Sequence, residues 1–191
     1  METLTVQPPN PTKVATKWAL INLAASVVFT YGTQLLNLDP NGPTKWIGTV
    51  LMIAFLLLTQ VEYRKELGGY MTFGQGFSAG FRYAVFGGLL VAVFTALYYS
   101  ILSPDAFVKV MEPSRIAMEQ KGMSSEEVEK AMSISLKYGW LFAAFGVAVI
   151  YAIMGAIVSL IGAAVFKKEK SPADILDDLE NNSTATVDPT V

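Results

Sequence analysis

The chain has no cysteine and no histidine among its 191 residues. The first absence excludes disulfides and thiolate nucleophiles, and the second removes the imidazole general base. Together they exclude the usual zinc and haem ligation. Charge is also scarce: 16% of residues are Asp, Glu, Lys or Arg, against about 25% in ordinary soluble domains. With a net charge of −2 and no dense Lys/Arg cluster, the chain lacks the basic surface that nucleic-acid binding requires. No acid stands in the middle of an apolar run, since Asp39, Glu62 and Asp105 all lie at edges. Proton-coupled transport through an intramembrane carboxylate therefore has no candidate. Ser26, Ser100 and Ser159 have no general base in their sequence neighbourhood, which leaves serine hydrolysis unsupported. Gly68-Gly69 and Gly74-Gln75-Gly76 are not nucleotide loops, because no strand precedes them and no lysine follows at the right place. No catalytic, cofactor-binding or metal-binding residue is assigned, and the expected protein is not an enzyme.

What the chain has in abundance is long apolar sequence, in four runs at 18–38, 45–62, 81–102 and 140–166. Crossing a bilayer core of about 30 Å takes roughly 20 mostly apolar helical residues. The expected fold class is all-α: a polytopic membrane protein with four transmembrane helices and an amphipathic helical segment, 103–138, between spans three and four. Residues 1–16 read as an extended tail, with Pro8, Pro9 and Pro11, and 17–168 as the four-span domain. Residues 169–191 read as an acidic disordered tail. The first run is longer than a signal-peptide core and no small-residue cleavage site closes it, so it is expected to be a retained span.

Local signals divide the runs. Asp39-Pro40-Asn41-Gly42-Pro43 predicts a tight reversal between the first two spans. Gly68-Gly69 breaks the chain after the charged stretch at Glu62, Arg64, Lys65 and Glu66. Thr72 with Gln75 is a capping-box pattern that starts a third helix running to about Leu102, some 45 Å at 1.5 Å per residue. Its first turns are expected to project into the interface, where Arg82 snorkels to the headgroups; the alternative is a functional cation inside the membrane. Between the last two spans, Pro113 is expected to restart a helix and Gly122 to end it. Ser124 with Glu127 forms a second capping box, followed by the apolar stripe Val128, Met132 and Leu136.

Two patterns within the runs have a period of four. Gly76, Gly80, Ala84, Gly88, Ala92 and Ala96 form a ridge of small side chains on the third span. The fourth span offers Ala144, Ala148, Ala152 and Ala156, and beside them Gly155, Ser159 and Ala163. Small-xxx-small ridges let helices approach closely in lipid, so spans three and four are expected to pair, with a homodimer through the same ridge as the competing arrangement. On this view Gly80→Leu is severe, Gly80→Ala mild, and Leu90 faces lipid. The second pattern is the polar stripe Asn22, Ser26, Thr30 and Gln34 on the first span, read as interhelical glue or, with Arg82, as a polar lining for a small solute or headgroup. Lys13, Lys17, Arg64, Lys65, Lys167, Lys168 and Lys170 fall on one side of a four-span arrangement. The positive-inside rule then places both termini in the cytoplasm.

The stretch Gly69-Tyr70-Met71-Thr72-Phe73-Gly74-Gln75-Gly76-Phe77-Ser78-Ala79-Gly80-Phe81, together with Gln120-Lys121-Gly122-Met123-Ser124-Ser125-Glu126-Glu127-Val128-Glu129, resembles two hallmark blocks of a bacterial membrane family catalogued as domain of unknown function 4199. The likeness covers about 17–168. It implies a four-span protein of the bacterial inner membrane with no established activity, and no catalytic residue carries over from it. The reading that fits best is a non-enzymatic accessory or scaffold subunit, with the lipid bilayer and a membrane-protein partner or second copy as its partners. The alternatives are a small transporter or channel subunit, or, as the resemblance suggests, a membrane partner of a lipid-linked glycosyltransferase.

Overall fold

A computed structural model describes residues 9–39 and 41–185. The chain is an all-α polytopic membrane protein: four helices are long and apolar enough to cross a membrane, and the described residues form no strand beyond one isolated bridge, Met71 with Lys168. Helix α1 (Pro11–Leu35) and α2 (Lys45–Glu66) are the first two spans. Helix α3 (Phe73–Leu97) continues through a π-helical turn, Tyr98–Leu102. Then come α4 (Pro104–Gln120), the 42-residue α5 (Ser125–Phe166) and α6 (Pro172–Ala185).

The local chemistry of the boundaries is visible in their hydrogen bonds. Asn10 caps α1 by accepting from the Thr12 amide, with Pro11 in the first turn, where its missing N–H costs nothing. Thr72 and Gln75 form a reciprocal capping box at the start of α3, and Ser124 and Glu127 do the same for α5. Between α2 and α3, Gly68 and Gly69 have φ of 77° and 91°. That left-handed conformation lets their amides bond back to the Lys65 and Arg64 carbonyls.

Several expected boundaries are corrected. Residues 11–16 belong to α1 rather than to an extended tail, and 1–8 lie outside the described residues. Pro113 sits inside an unbroken α4. The segment 103–138 is helical as expected, but it does not end at a helix boundary, because α5 runs without interruption from Ser125 into the last span. At 1.5 Å per residue α5 is about 63 Å long, roughly twice the hydrocarbon thickness, and its first turns extend past the membrane-spanning part beside α4. Phe107 of α4 is buried and lies against Gly139. Finally, Pro172–Ala185 is helical where composition suggested disorder. Ser171 and Asp174 cap it reciprocally, Asp174 accepting from the Ser171 amide and Ser171 Oγ from the Asp174 amide. The Ser171 amide, with the Ser171 hydroxyl beside it, holds the Asp174 carboxyl below its ordinary range. Residues 186–191 of the expected tail lie outside the described residues.

Helix α3 is the centre of the bundle. Its most extensive contact is with α5, then with α1, and α2 closes the group against all three. The start of α1, the end of α2, the start of α3 and the end of α5 meet at one end. There Arg82 donates to Thr12 Oγ1, Arg64 to the Phe166 carbonyl, and Lys17 and the Trp18 indole both reach Glu62. This brings the Lys/Arg-rich ends of the spans together at one end.

Candidate functional site

Two features carry the polar groups of the spans: a close-packed seam between α3 and α5, and a one-ended cleft beside α1.

The seam is antiparallel. Gly76 lies against Ala163, Gly80 against Ser159, Ala84 against Gly155, and Gly88 against Tyr151. A β carbon added at Gly80 would fall 2.7 Å from Ser159 Oγ and 2.8 Å from Gln60 Nε2, and one at Gly88 would fall 2.7 Å from Tyr151 Cβ. Of the ridge residues, Gly76, Gly80, Ala84, Gly88 and Ala92 are buried and Ala96 is half-buried. On α5 the stripe Tyr151, Gly155, Ser159 and Ala163 faces α3 and is buried, whereas of Ala144, Ala148, Ala152 and Ala156 the first is buried and the other three are half-buried. Two expectations are corrected here. Gly80→Ala is less mild than the ridge alone implies, because a methyl group there meets the Ser159 and Gln60 side chains, which must shift to admit it. Leu90 does not face lipid but packs against the core, since α1 covers a second side of α3; Leu89 and Val93, 56% and 60% exposed, are the outward residues.

Gln60 of α2, which periodicity did not single out, is driven into this seam. Fully buried, it donates from Nε2 to the Gly76 carbonyl at 3.0 Å and to the Ser159 carbonyl at 2.9 Å. Its Oε1 has no hydrogen-bond partner and rests against Gly162, where any β carbon would overlap it. One side chain thereby joins α2 to both helices of the seam. The available signal was the polar pair Thr59-Gln60 in an otherwise apolar run. Thr59 satisfies itself on the Phe55 carbonyl, and Gln60 is too long to do so.

The polar stripe of α1 is graded in depth. Asn22 is fully buried and donates from Nδ2 to Tyr151 Oη at 3.0 Å. Ser26 and Thr30 are half-buried and line an inner cavity of about 280 Å³, together with Thr49, Met52, Val147 and Tyr151. Gln34, exposed, donates to Ser103 Oγ at 2.9 Å and accepts from Tyr98 Oη at 3.1 Å. Thr30 and Gln34 also line an outer cleft of about 1100 Å³, bounded by the end of α1, the start of α2, the π-helical turn and α4. The two spaces share Phe29, Thr30 and Lys45. Inward, Met52 and Tyr151 belong to the buried core. Arg82 is not part of this lining: it is exposed at the opposite end of the bundle, beside the first turn of α1.

Tyr151→Phe tests the inner end of the stripe. It removes the acceptor for Asn22 without changing shape, and interhelical hydrogen bonds in membranes are worth about 0.6–2 kcal/mol. A loss of about 1 kcal/mol in reversible unfolding is expected, and Asn22→Leu combined with it should cost little more, because the two act through one bond. Fully additive losses would show that Asn22 and Tyr151 act independently.

Comparison with known proteins gives a family and no activity. No curated protein and no solved structure matches the chain. The model of the family described as "Protein of unknown function (DUF4199)" matches residues 17–168, which take in the first span from Lys17 onward and the other three whole, and the chain belongs to that family.

Proposed function

We propose that this protein is a non-enzymatic accessory or scaffold subunit of the bacterial inner membrane, with both termini in the cytoplasm. The observation that carries this reading is how the buried polar side chains are used. Asn22 and Gln60 bond across helices, and Ser159 Oγ lies in the seam beside Gly80 rather than beside a general base. The Asn22 and Gln60 bonds fix the relative positions of helices, which is what a scaffold requires. The test is purification from the native host in mild detergent. The reading predicts a membrane protein recovered at fixed stoichiometry, and a lipid-linked glycosyltransferase in that place would identify the partner class. Recovery of the chain alone, with turnover of a substrate, would contradict it.

A small transporter or channel subunit is the second reading, favoured by Ser26 and Thr30 in the inner cavity. It requires the space to continue past Met52 and Tyr151. Solute flux in proteoliposomes that is blocked by Ser26→Trp would support it.

The orientation rests on the Lys/Arg-rich ends of the spans lying together, against Lys45 at the opposite span ends and a charge-balanced segment there that carries Lys109, Arg115, Lys121, Lys130 and Lys137. A reporter active only outside the cytoplasm, fused after Val191, is expected to be silent. Activity would reverse the assignment.

A further inference from the structure

The outer cleft is lined by side chains of both signs: Lys45 and Lys109, with Asp39, Asp105 and Glu112, of which Glu112 is turned to Arg115. Lys45 at the start of α2 and Lys109 and Asp105 on α4 all face it and are exposed. No ion pair joins any of the three among the described residues, where the ion pairs are Lys17–Glu62 and those of Arg115 with Glu112 and Glu119. Lys45 lies at the junction with the inner cavity, at the membrane end of α2, and Trp46 beside it is 63% exposed, as an interfacial anchor is. Inward from Lys45 the lining becomes largely apolar: Leu51, Val91, Val147 and Ile150. Val50 and Ile150 are 62% and 57% exposed, so this part of the bundle is open toward lipid.

We propose that the cleft and its inner extension hold one zwitterionic phospholipid with a phosphoethanolamine headgroup. The phosphate lies at Lys45 and Lys109, the ammonium at Asp105, and an acyl chain enters the inner cavity. Charges of both signs in one cleft match a ligand that carries both, and each contact with it is a charge-assisted hydrogen bond. A volume of about 1100 Å³ suits a ligand of headgroup size or larger. The apolar inner lining selects a lipid over a free zwitterion, which would leave it empty. A primary ammonium suits the cleft better than choline, whose quaternary nitrogen prefers open aromatic faces. Tyr98 and Tyr99 are packed against each other and against Phe94 and Phe107. The site goes beyond the accessory role proposed above and does not depend on it.

Native mass spectrometry of the full chain tests the proposal, with an equimolar mixture of dioleoyl phosphatidylethanolamine, phosphatidylcholine and phosphatidylglycerol. Phosphatidylethanolamine adducts are expected to exceed each of the others by about tenfold, and Lys45→Gln and Lys109→Gln each to lower them by about tenfold, as loss of one hydrogen bond to a charged group predicts. Gly48→Phe, placed where an added β carbon meets nothing within 4 Å, fills the inner cavity and should abolish the adduct without lowering the melting temperature. If it does lower that temperature, the two exposed lysine variants decide alone. Equal adducts of the three lipids, or adducts unchanged in both lysine variants, would overturn the proposal. Displacement of the lipid by equimolar free phosphoethanolamine would overturn it in favour of a soluble zwitterion.

Discussion

Gly155→Ala is expected to lower the melting temperature of the detergent-solubilised protein by several degrees, although alanine is the better helix former. The propensity gain is at most about 1 kcal/mol. Against it stands the overlap of the new methyl group with Ala84. A rigid neighbour of this kind cannot rotate away, so the helices must separate, and overpacking of this sort typically costs about 1–3 kcal/mol. Van der Waals contact along the seam is forfeited as well, and in lipid that contact is a main source of helix association. A net loss of about 2 kcal/mol corresponds to roughly 4–8 °C for a chain of this size. Gly146→Ala on the same helix is the control, because a β carbon there meets nothing within 4 Å; it should be neutral or slightly stabilising. Leu89→Ala, on the outward face of α3, should stay within about 0.5 kcal/mol. Equal tolerance of alanine at Gly146 and Gly155 would show that the seam is not close-packed.

At Gln60 the chemistry of the replacement should matter more than its size. Gln60→Leu removes the two bonds to the Gly76 and Ser159 carbonyls, but both carbonyls belong to continuous helices. The expected cost is about 1 kcal/mol, in the range of interhelical hydrogen bonds in membranes. Gln60→Glu is nearly isosteric but points carboxylate oxygens at two carbonyl oxygens in a buried site, and an uncompensated buried charge costs about 3–5 kcal/mol. Glutamate is therefore expected to be far worse than leucine by thermal unfolding at neutral pH. The reverse order would mean that Gln60 acts as a space-filler alone.

The fold was legible in the sequence because its largest signals are additive. Four apolar runs are counted directly, and the capping boxes at Thr72 and Ser124 depend on residues three apart. What was not legible depends on which neighbour covers a given face. Periodicity identified small-residue stripes on the third and fourth spans, but two candidate stripes on the fourth are adjacent on the helix surface. Only packing distinguishes Gly155, Ser159 and Ala163 from Ala148, Ala152 and Ala156. Leu90 packs against the core for the same kind of reason, since a helical wheel shows what lies opposite a ridge but not what covers that opposite face. The unbroken α5 was hidden by the change from polar to apolar sequence near Trp140, which marks the membrane boundary rather than a helix boundary. The candidate cleft was half visible: Thr30 and Gln34 were named, whereas Lys45, Asp105 and Lys109 come together only when α4 folds back over the loop between α1 and α2.

The absence of native cysteine makes the pairing of α3 with α5 directly measurable. The β carbon built on Gly76 lies 3.2 Å from that of Ala163, close to the separation of about 3.8 Å across a disulfide. In Gly76→Cys/Ala163→Cys the two new thiols are the only ones in the chain. After mild oxidation in native membranes and then denaturation in SDS, the double variant should run as a monomer on a non-reducing gel, with both thiols closed to maleimide until reduced. Each single variant should stay monomeric and reactive. Covalent dimers in the double variant, or two thiols that remain open, would contradict an α3–α5 seam within one subunit.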